Sequence, residues 1–289
     1  MKHLRIVCTA KKINPKEIAA AESYFLSKGF EVSKGQNLHS EWNQFAGTDA
    51  QRAADLTAAL QDETVDVIWF ARGGYGSLRV WQLMEKTLLA NHNKTLLGYS
   101  DMTVWLNQSF IANTKALHAT MPISFADSTP ESLDMATDFL LDNKLPNWEW
   151  KAEESTGDID VTAKLFGGNL SLLYSLTGTP LMEVNEPIIL MIEDLDEYYY
   201  ACDRMLINLV HQPFWKNVKA VVLGGFTSMN DNDTPFGMSI AEILHNLSPA
   251  TPVVSSAPYG HQNHNLPWIV GAKANVKVVD NNATLNYLK

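Results

Sequence analysis

The sequence predicts an α/β fold in which an N-terminal parallel sheet wrapped by helices is followed by a smaller C-terminal α/β domain with several short strands. Short apolar runs alternate with helix-like segments in the first part of the chain, as in a parallel sheet whose strands are joined by helices. This alternation stops after Pro122, gives way to a polar stretch and resumes near Thr162. With 289 residues, of which 46% are hydrophobic, the chain is long enough for two such domains.

The N-terminal domain is expected to span residues 1–123. Its first strand is predicted over residues 4–9, which are mostly apolar. Asn14 and Pro15 predict the start of the first helix and Gly29 its end, because asparagine caps helices, proline fits the first helical position and glycine fits the position after the last turn. The same kinds of signal predict the remaining elements, which are strands over residues 30–32, 65–70 and 95–97 and helices over residues 49–60, 77–89 and 102–112.

Residues 124–161 are expected to form a connecting segment, because they are polar and contain two prolines. The C-terminal domain is expected over residues 162–289. Asp280-Asn281-Asn282 is typical of a turn and should join the last two strands. Apolar runs and helix signals predict strands over residues 187–192, 219–223, 253–255, 268–270, 276–279 and 284–287 and helices over residues 200–210 and 238–245.

Composition argues against several classes of function. The formal net charge of −10 disfavours binding to nucleic acid or to an anionic membrane, since both repel an acidic surface. No stretch approaches the ~20 apolar residues that cross a bilayer, and the N-terminal run predicts a strand rather than a signal peptide, so a cytoplasmic location is expected. Cys8 and Cys202 are expected to be buried free thiols. No Cys/His group has zinc spacing, and His261-x-x-His264 alone is a weak signal, so we expect no metal and no cofactor.

Ser100 is the strongest candidate for a nucleophile. It lies between the strand predicted over residues 95–97 and the helix predicted over residues 102–112. A strand-to-helix turn exposes a serine hydroxyl and directs the N–H groups of the new helix toward it, as in a nucleophile elbow. The turn lacks the second glycine of the G-x-S-x-G pattern, so the local sequence also fits Ser100 or Asp101 as an ordinary helix cap.

A serine nucleophile requires a base, and the base requires an acceptor that orients it. His261 follows a glycine just after a predicted strand, which suits a cleft, and His264 is the alternative base. Glu193 comes directly after a predicted strand and is the expected partner of the histidine, ahead of Asp194. A helix cap or an ion pair with Arg204 would equally explain a carboxylate at a strand end.

The run Arg72-Gly73-Gly74-Tyr75-Gly76 forms a second turn at a predicted strand end. Glycines allow a backbone to approach a ligand closely and leave its N–H groups exposed. A phosphate-binding loop is the alternative, although the Gly-Lys-Ser/Thr ending of a P-loop is absent and the spacing does not fit G-x-G-x-x-G.

Several short motifs occur together along the chain. In order they are Arg72-Gly73-Gly74-Tyr75-Gly76, Gly98-Tyr99-Ser100-Asp101-Met102-Thr103, Phe166-Gly167-Gly168-Asn169-Leu170-Ser171, Gly178-Thr179-Pro180, Ile192-Glu193-Asp194, Asp203-Arg204-Met205-Leu206 and Tyr259-Gly260-His261. Each motif is modest, but the ordered set resembles the LD-carboxypeptidases, a family of serine peptidases that trim murein peptides and that has microcin-immunity relatives. The segment over residues 117–122 departs from the His-Gly-Pro that is usual in the family.

The resemblance implies roles for individual residues. The family's Ser–Glu–His triad falls on Ser100, Glu193 and His261. Its oxyanion hole uses backbone amides around the nucleophile and the glycine-rich turn, which here implies Asp101 and Gly74. The resemblance also implies an active site between two α/β domains and a homodimer.

The function implied by the resemblance is that of a cytoplasmic serine carboxypeptidase that cleaves the L,D bond of a murein tetrapeptide and releases the terminal D-alanine. The expected partner is therefore a small murein peptide. Arg72 is a candidate for binding the terminal carboxylate, although a structural ion pair would equally explain it. Two alternatives remain, namely an immunity-type amidase that cleaves a peptide–nucleotide antibiotic and a non-catalytic α/β protein that binds a small anion. The intact Ser/Glu/His set favours catalysis, since a binding protein needs no such set.

Overall fold

The structure is a computed structural model that describes residues 1–288. Its strands are β1 (His3–Val7), β2 (Glu31–Lys34), β3 (Val67–Phe70), β4 (Thr95–Gly98), β5 (Ala116–His118), β6 (Trp148–Lys151), β7 (Ile159–Asn169), β8 (Ile188–Leu195), β9 (Val218–Thr227), β10 (Val253–Val254), β11 (Trp268–Ile269), β12 (Lys273–Val279) and β13 (Asn282–Tyr287). Its α-helices are α1 (Pro15–Ser27), α2 (Asp49–Gln61), α3 (Ser77–Leu83), α4 (Lys86–Ala90), α5 (Thr103–Ala112), α6 (Pro130–Asp142), α7 (Leu170–Ser175), α8 (Tyr199–Val210) and α9 (Ile240–Leu247).

The first sheet contains six strands in the order β11-β5-β4-β3-β1-β2. Strands β1 to β5 run parallel to one another, which confirms the predicted parallel N-terminal sheet. The carboxyl ends of β3 and β4 lie side by side, so the glycine-rich turn after β3 and Ser100 after β4 meet at one edge. This edge is where open α/β sheets bind ligands.

The second sheet contains seven strands in the order β10-β9-β8-β7-β12-β13-β6 and is the larger of the two. Strands β7 to β10 are parallel, whereas β12, β13 and β6 add an antiparallel half. Asp280 and Asn281 have φ values of 50° and 63° and form the predicted turn between β12 and β13. In the parallel half, Glu193 of β8 lies in register with Asn169 of β7, and this pair faces the edge of the first sheet that carries Ser100.

The stretch over residues 124–161, which we expected to be a connecting segment, contains helix α6 and strand β6. Strand β6 pairs with β13 at the edge of the second sheet, and its Trp148 is buried. The polar composition of this segment does not indicate a strand, because only alternate residues of an edge strand face the core. Residues near the end of the chain also return to the first sheet, where β11 pairs antiparallel with β5.

Most helices begin and end close to the predicted positions. Helix α1 starts with a capping box of Asn14 and Glu17, and Gly29 follows its end with a φ of 86°. The helix predicted over residues 77–89 is instead two helices, α3 and α4, because the backbone at Met84 is extended with a ψ of 141°. No glycine or proline marks this break in the sequence.

One hydrophobic cluster connects the two sheets. Phe70 of β3 stacks on Trp105 of α5 with ring centroids 6.0 Å apart, and the same buried cluster includes Leu165 of β7 and Tyr259. Burial of each such side chain contributes about 1.5–3 kcal/mol. The shared core fixes the carboxyl ends of the two sets of strands relative to each other.

Both cysteines lie in the protein interior. Cys8 and Cys202 are buried and unpaired in the described chain, as predicted. Within residues 1–288, no helix is long and apolar enough to cross a membrane.

Candidate active site

Ser100 lies directly after β4 in a strained backbone conformation. Its φ of 63° is in the left-handed region, which residues other than Gly, Asn and Asp rarely adopt. A short 3₁₀ turn, Ser100–Met102, leads from it into α5. The strain and the strand–turn–helix setting are those of a nucleophile elbow.

The alternative interpretation of this turn as a simple helix cap is wrong. The residue before α5 is Met102, which makes no side-chain cap. The carboxylate of Asp101 is buried and accepts a hydrogen bond from the backbone N–H of Ser77 at 2.8 Å. Asp101 therefore binds the start of α3 rather than its own helix, and the Ser100 hydroxyl is left for another partner.

That partner is His261. Its Nε2 lies 3.0 Å from Oγ of Ser100, and its Nδ1 lies 2.6 Å from Oε2 of Glu193. Glu193 is fully buried and also accepts the backbone N–H of His261 at 3.2 Å. The three side chains therefore form one hydrogen-bonded chain from a buried carboxylate, through an imidazole, to the hydroxyl at the strand end.

The backbone around His261 is shaped to permit this contact. Gly260 has a φ of 102°, and a Cβ placed on it would lie 2.8 Å from the side chain of Glu193. His264, the alternative base, lies elsewhere. Its side chain is 45% exposed, and its Nε2 is 3.5 Å from a carboxylate oxygen of Glu131.

Charge and burial shift the pKa values of His261 and Glu193 in opposite directions. Burial favours the neutral imidazole, but the charge of Glu193 and its hydrogen bond to the ring outweigh this effect, so the pKa of His261 is raised above its ordinary value. Burial also favours the neutral form of Glu193 and so would raise the pKa of this carboxyl. The nearby imidazole outweighs this effect and keeps the pKa of Glu193 below its ordinary value. A carboxylate and a basic imidazole are thus favoured together, as general-base chemistry requires.

Asp194 occupies a different environment from its neighbour. Strand β8 runs through Leu195, so both acids are strand residues rather than residues after the strand, and alternation sends their side chains to opposite faces. Asp194 accepts hydrogen bonds from Asn169 Nδ2 and from the backbone N–H of Ser171, each at 2.8 Å. Burial, and then the charge of Glu193, raises the pKa of Asp194 to about 7.

The ion pair considered for this acidic region does not form. Within the described chain no carboxylate lies within 4 Å of a guanidinium nitrogen of Arg204. Its guanidinium lies instead 5.5 Å from the ring centroid of Tyr200. The prediction that Glu193 rather than Asp194 faces the histidine agrees with the hydrogen bonds.

The glycine-rich turn packs against Ser100. A Cβ placed on Gly73 would lie 2.8 Å from Oγ of Ser100 and 3.3 Å from the backbone N of Asp101. Gly74 has a φ of 109°, and a Cβ there would lie 2.6 Å from Cδ of Lys11. Among residues 1–288, neither the N–H of Gly74 nor that of Asp101 finds a backbone acceptor. Both N–H groups are therefore available to a ligand oxygen beside Ser100.

Arg72 reaches the same region from the base of the turn. Its Nη1 donates a hydrogen bond to the backbone carbonyl of Lys12 at 2.9 Å. No carboxylate of the described residues lies within 4 Å of its guanidinium nitrogens, so the structural ion pair that we considered for Arg72 is not present.

The residues above surround a cleft of about 420 Å³ between the two sheets. Its volume is within the range of small-molecule sites. Lining side chains and backbone come from both halves of the chain and include Lys11, Arg72, Gly74, Ser100, Asn169, Asp194 and His261. Within the part of the chain that the structure describes, no group of three or more His, Cys, Asp or Glu side chains is arranged to hold a metal ion.

Sequence reasoning missed several residues that support this site. Thr103 accepts a hydrogen bond from the N–H of Asn169 at 2.9 Å and donates to the carbonyl of Ser100 at 2.7 Å. The ring of Tyr99 lies 4.9 Å from that of His261. The only local signal was their position in the turn, next to the serine.

His118 is a further missed residue, in the segment that departs from the family pattern. Its ring is fully buried and stacks on Trp268 with centroids 5.1 Å apart. Neither ring nitrogen has a hydrogen-bond partner among the described residues. Burial lowers the pKa of His118 to about 4, so this imidazole is neutral near pH 7 and supports the site by packing.

The fold and the hydrogen-bonded chain together define a class, which is a two-sheet α/β protein with the side-chain set of a serine hydrolase. Comparison with known proteins identifies the family. The model of the LD-carboxypeptidase N-terminal domain matches residues 4–119, and that of the LD-carboxypeptidase C-terminal domain matches residues 162–276. The chain therefore belongs to the LD-carboxypeptidase family, a family of peptidases, and the resemblance drawn from its motifs is confirmed.

Individual relatives match over most of their length. A relative from Synechocystis sp. is 30% identical over 256 residues, which cover 86% of this chain and 82% of that protein. The murein tetrapeptide carboxypeptidase of Pseudomonas aeruginosa is 27% identical over 263 residues, which cover 85% of this chain and 83% of that protein.

Solved structures show the same architecture. The muramoyltetrapeptide carboxypeptidase from Oxalobacter formigenes superimposes with a TM-score of 0.89 at 26% identity, and the match covers 100% of this chain and 99% of that one. The microcin C7 self-immunity protein MccF superimposes with a TM-score of 0.86 at 16% identity, covering 100% of this chain and 96% of that one. At this identity the second match shows a common fold alone.

Proposed function

We propose that the protein is a serine-type LD-carboxypeptidase that hydrolyses the L,D peptide bond of a murein tetrapeptide and releases the terminal D-alanine. The observation that carries the proposal is the chain of hydrogen bonds from Glu193 through His261 to Ser100. Membership of the LD-carboxypeptidase family and the names of the Pseudomonas and Oxalobacter proteins support the substrate class. The homodimer implied by the family remains a prediction.

In the first half of the proposed reaction, Oγ of Ser100 attacks the carbonyl carbon of the scissile bond while Nε2 of His261 accepts the hydroxyl proton. The carboxylate of Glu193 stabilises the resulting imidazolium through Nδ1 and holds the ring in the tautomer that presents Nε2 to the serine. Negative charge develops on the carbonyl oxygen. The free N–H groups of Gly74 and Asp101 are the donors that we assign to this oxygen.

Collapse of the tetrahedral intermediate breaks the C–N bond. His261 donates its proton to the departing nitrogen, and D-alanine leaves with a free amine. Water then attacks the acyl-enzyme, with His261 again accepting a proton, and a second collapse releases the tripeptide and restores the Ser100 hydroxyl. Protons balance over the cycle, and no group beyond the chain's own residues and water is required.

Mass spectrometry of a murein tetrapeptide digest tests this proposal. We expect one product that is shorter by one D-alanine and none with the Ser100→Ala variant, which serves as the control for contaminating peptidases. A serine-directed phosphonylating reagent should also add one group to the wild-type protein and none to Ser100→Ala. Absence of both product and adduct would favour the anion-binding alternative.

A second candidate is an immunity-type amidase, which is favoured by the fold shared with the microcin C7 self-immunity protein. The same Ser–His–Glu chain would serve that reaction, so the two candidates differ in the substrate that fills the cleft. Incubation with an aminoacyl sulfamoyl nucleoside, in parallel with the tetrapeptide, distinguishes them. Cleavage of the nucleoside conjugate without release of D-alanine would move the assignment to the amidase.

A further inference from the structure

Lys11 extends over the glycine-rich turn beside the nucleophile. A Cβ placed on Gly74 would lie 2.6 Å from Cδ and 2.9 Å from Cε of Lys11, so the alkyl chain runs directly across the bare backbone of this glycine. The position of Lys11 is fixed at its own backbone, where it forms a β-bridge with Phe45 and its carbonyl accepts a hydrogen bond from Sγ of Cys8 at 3.0 Å. Contacts therefore hold both the backbone of Lys11 and the middle of its side chain, which ends in the ammonium group.

This ammonium group has no internal counter-ion. Within the described chain, no carboxylate oxygen lies within 4 Å of Nζ of Lys11, whereas the adjacent Lys12 pairs with Glu41 at 2.5 Å. Acidic residues outnumber lysine and arginine by 32 to 22 in this protein, so a lysine that lines a cleft without an acidic partner is notable. Three acids line the cleft, Asp194, Asp196 and Glu197, and all belong to the β8 side, where Asp194 is held by Asn169 and Ser171.

The position of Lys11 relative to the proposed chemistry suggests its partner. If the scissile carbonyl lies between Ser100 and the N–H of Gly74, the carboxylate of a C-terminal D-alanine lies three bonds beyond the carbonyl carbon. Lys11 lies over Gly74 and lines the same cleft as Ser100, so a carboxylate on the Gly74 side of Ser100 would be next to its ammonium group. Arg72 is the other cation of the cleft; its Nη1 donates to the carbonyl of Lys12, while its Nη2 has no partner among the described residues, so Arg72 is the competing ligand for this carboxylate.

We propose that Lys11 binds the free C-terminal carboxylate of the substrate and so makes the enzyme an exopeptidase. This inference rests on the proposed function, because it requires a terminal residue to be released at Ser100. It assigns to Lys11 a role in specificity rather than in bond cleavage. A charge-assisted hydrogen bond from an ammonium to a carboxylate is stronger than one between neutral groups, and a neutral C-terminal amide cannot provide this partner.

The test compares a murein tetrapeptide with a free C-terminal carboxylate and the same peptide as its C-terminal amide, with release of D-alanine or D-alaninamide measured. We expect the wild-type enzyme to prefer the free acid. We expect Lys11→Met to lower kcat/KM for the free acid by roughly 10- to 100-fold, the effect of losing one hydrogen bond to a charged group, mainly through KM. The variant should hydrolyse the amide as fast as wild type does. Lys12→Met, which removes the neighbouring lysine that points to Glu41, is the matched control and should behave as wild type.

Each outcome decides the inference. Lys11→Arg should keep most of the preference for the free acid, and Lys11→Gln replaces Lys11→Met if the latter does not fold, as judged by its thermal unfolding. An unchanged acid-to-amide ratio in Lys11→Met or Lys11→Gln would overturn the role of Lys11 and leave the proposed function intact. Release of no D-alanine by wild type from either peptide would instead refute the proposed function, and this inference with it.

Discussion

Thr103 joins the turn at Ser100 to the second sheet through Asn169. Its hydroxyl accepts the backbone N–H of Asn169 at 2.9 Å, which leaves its proton for the carbonyl of Ser100 at 2.7 Å. A Cβ on Gly168 would lie 2.4 Å from this hydroxyl, so the two segments approach as closely as a glycine permits. One side chain thus sets the position of Ser100 relative to the strand that carries Glu193.

We expect Thr103→Val to lower both stability and activity. Valine has nearly the shape of threonine but leaves the buried N–H of Asn169 and the carbonyl of Ser100 without a partner, which should lower the free energy of unfolding by about 1–3 kcal/mol. Displacement of Ser100 from His261 should reduce kcat more than KM. Urea unfolding and steady-state kinetics measure the two effects. Thr103→Ser keeps the hydroxyl and should stay close to wild type in kcat, and an equal loss in both variants would contradict the hydrogen-bond argument.

Ser100 should be essential for turnover, and its left-handed backbone conformation should lower the stability of the fold. Ser100→Ala is expected to lower kcat by several orders of magnitude, because members of such a triad act as a unit. The φ of 63° at this position is unfavourable for any residue with a Cβ, so Ser100→Gly should be more stable than Ser100→Ala by about 1 kcal/mol. Thermal or urea unfolding of the two inactive variants measures this difference. Equal stability would mean that the turn relaxes when the hydroxyl is removed.

Part of this site could be predicted from local sequence. The strand–turn–helix pattern around Ser100 and the loop at His261 depend on neighbours in the chain. The ordered set of motifs indicated the family. Local pattern did not determine which of Glu193 and Asp194 faces the histidine. That choice depends on the length and register of β8, which continues to Leu195 through pairing with β9 across an irregularity between Ile192 and Asp194.

Other features depend on contacts between distant segments. Strand β11 joins the first sheet beside His118 although it lies in the last part of the chain, and Thr103 meets Asn169 across 66 residues of sequence. Neither contact leaves a periodicity or a turn signal, since each involves one or two residues whose partner is distant in the sequence. The polar composition of residues 124–161 predicts a connector for a different reason, since only alternate residues of the edge strand β6 face the core.

The pH dependence of activity should report the protonation of His261. The imidazole must be neutral to accept the serine proton, so kcat/KM should fall as pH decreases through its pKa, which is raised above the ordinary value of 6.5. Glu193→Gln removes the charge that opposes the effect of burial, and the acid limb should move to lower pH while kcat decreases. A profile of kcat/KM from about pH 5 to 9 tests this. An acid limb that stays in place in Glu193→Gln would assign it to a group other than His261 and Asp194, since the charge of Glu193 raises the pKa of both.

Gly73 is expected to be necessary for activity, because a larger residue would fill the space next to Oγ of Ser100. An added methyl group would lie 2.8 Å from Oγ of Ser100 and 3.3 Å from the N–H-bearing nitrogen of Asp101, which is closer than van der Waals contact and occupies the position where a carbonyl would bind. Gly73→Ala should therefore lower kcat/KM by at least ~100-fold, the scale of losing one oxyanion donor. Gly73 does not have a left-handed φ, but the added methyl group would also lie 2.8 Å from Cβ of Ser100, so the turn must shift and the melting temperature should fall as well; activity is therefore compared at a temperature at which both proteins are folded. Gly225→Ala is the matched control, since its added methyl group would meet the flexible side chain of Gln262 at 3.3 Å, and it should retain activity. Near-normal turnover in Gly73→Ala would show that the carbonyl does not approach Ser100 from the side of the glycine-rich turn, and the assignment of Gly74 and Asp101 as oxyanion donors would then be wrong.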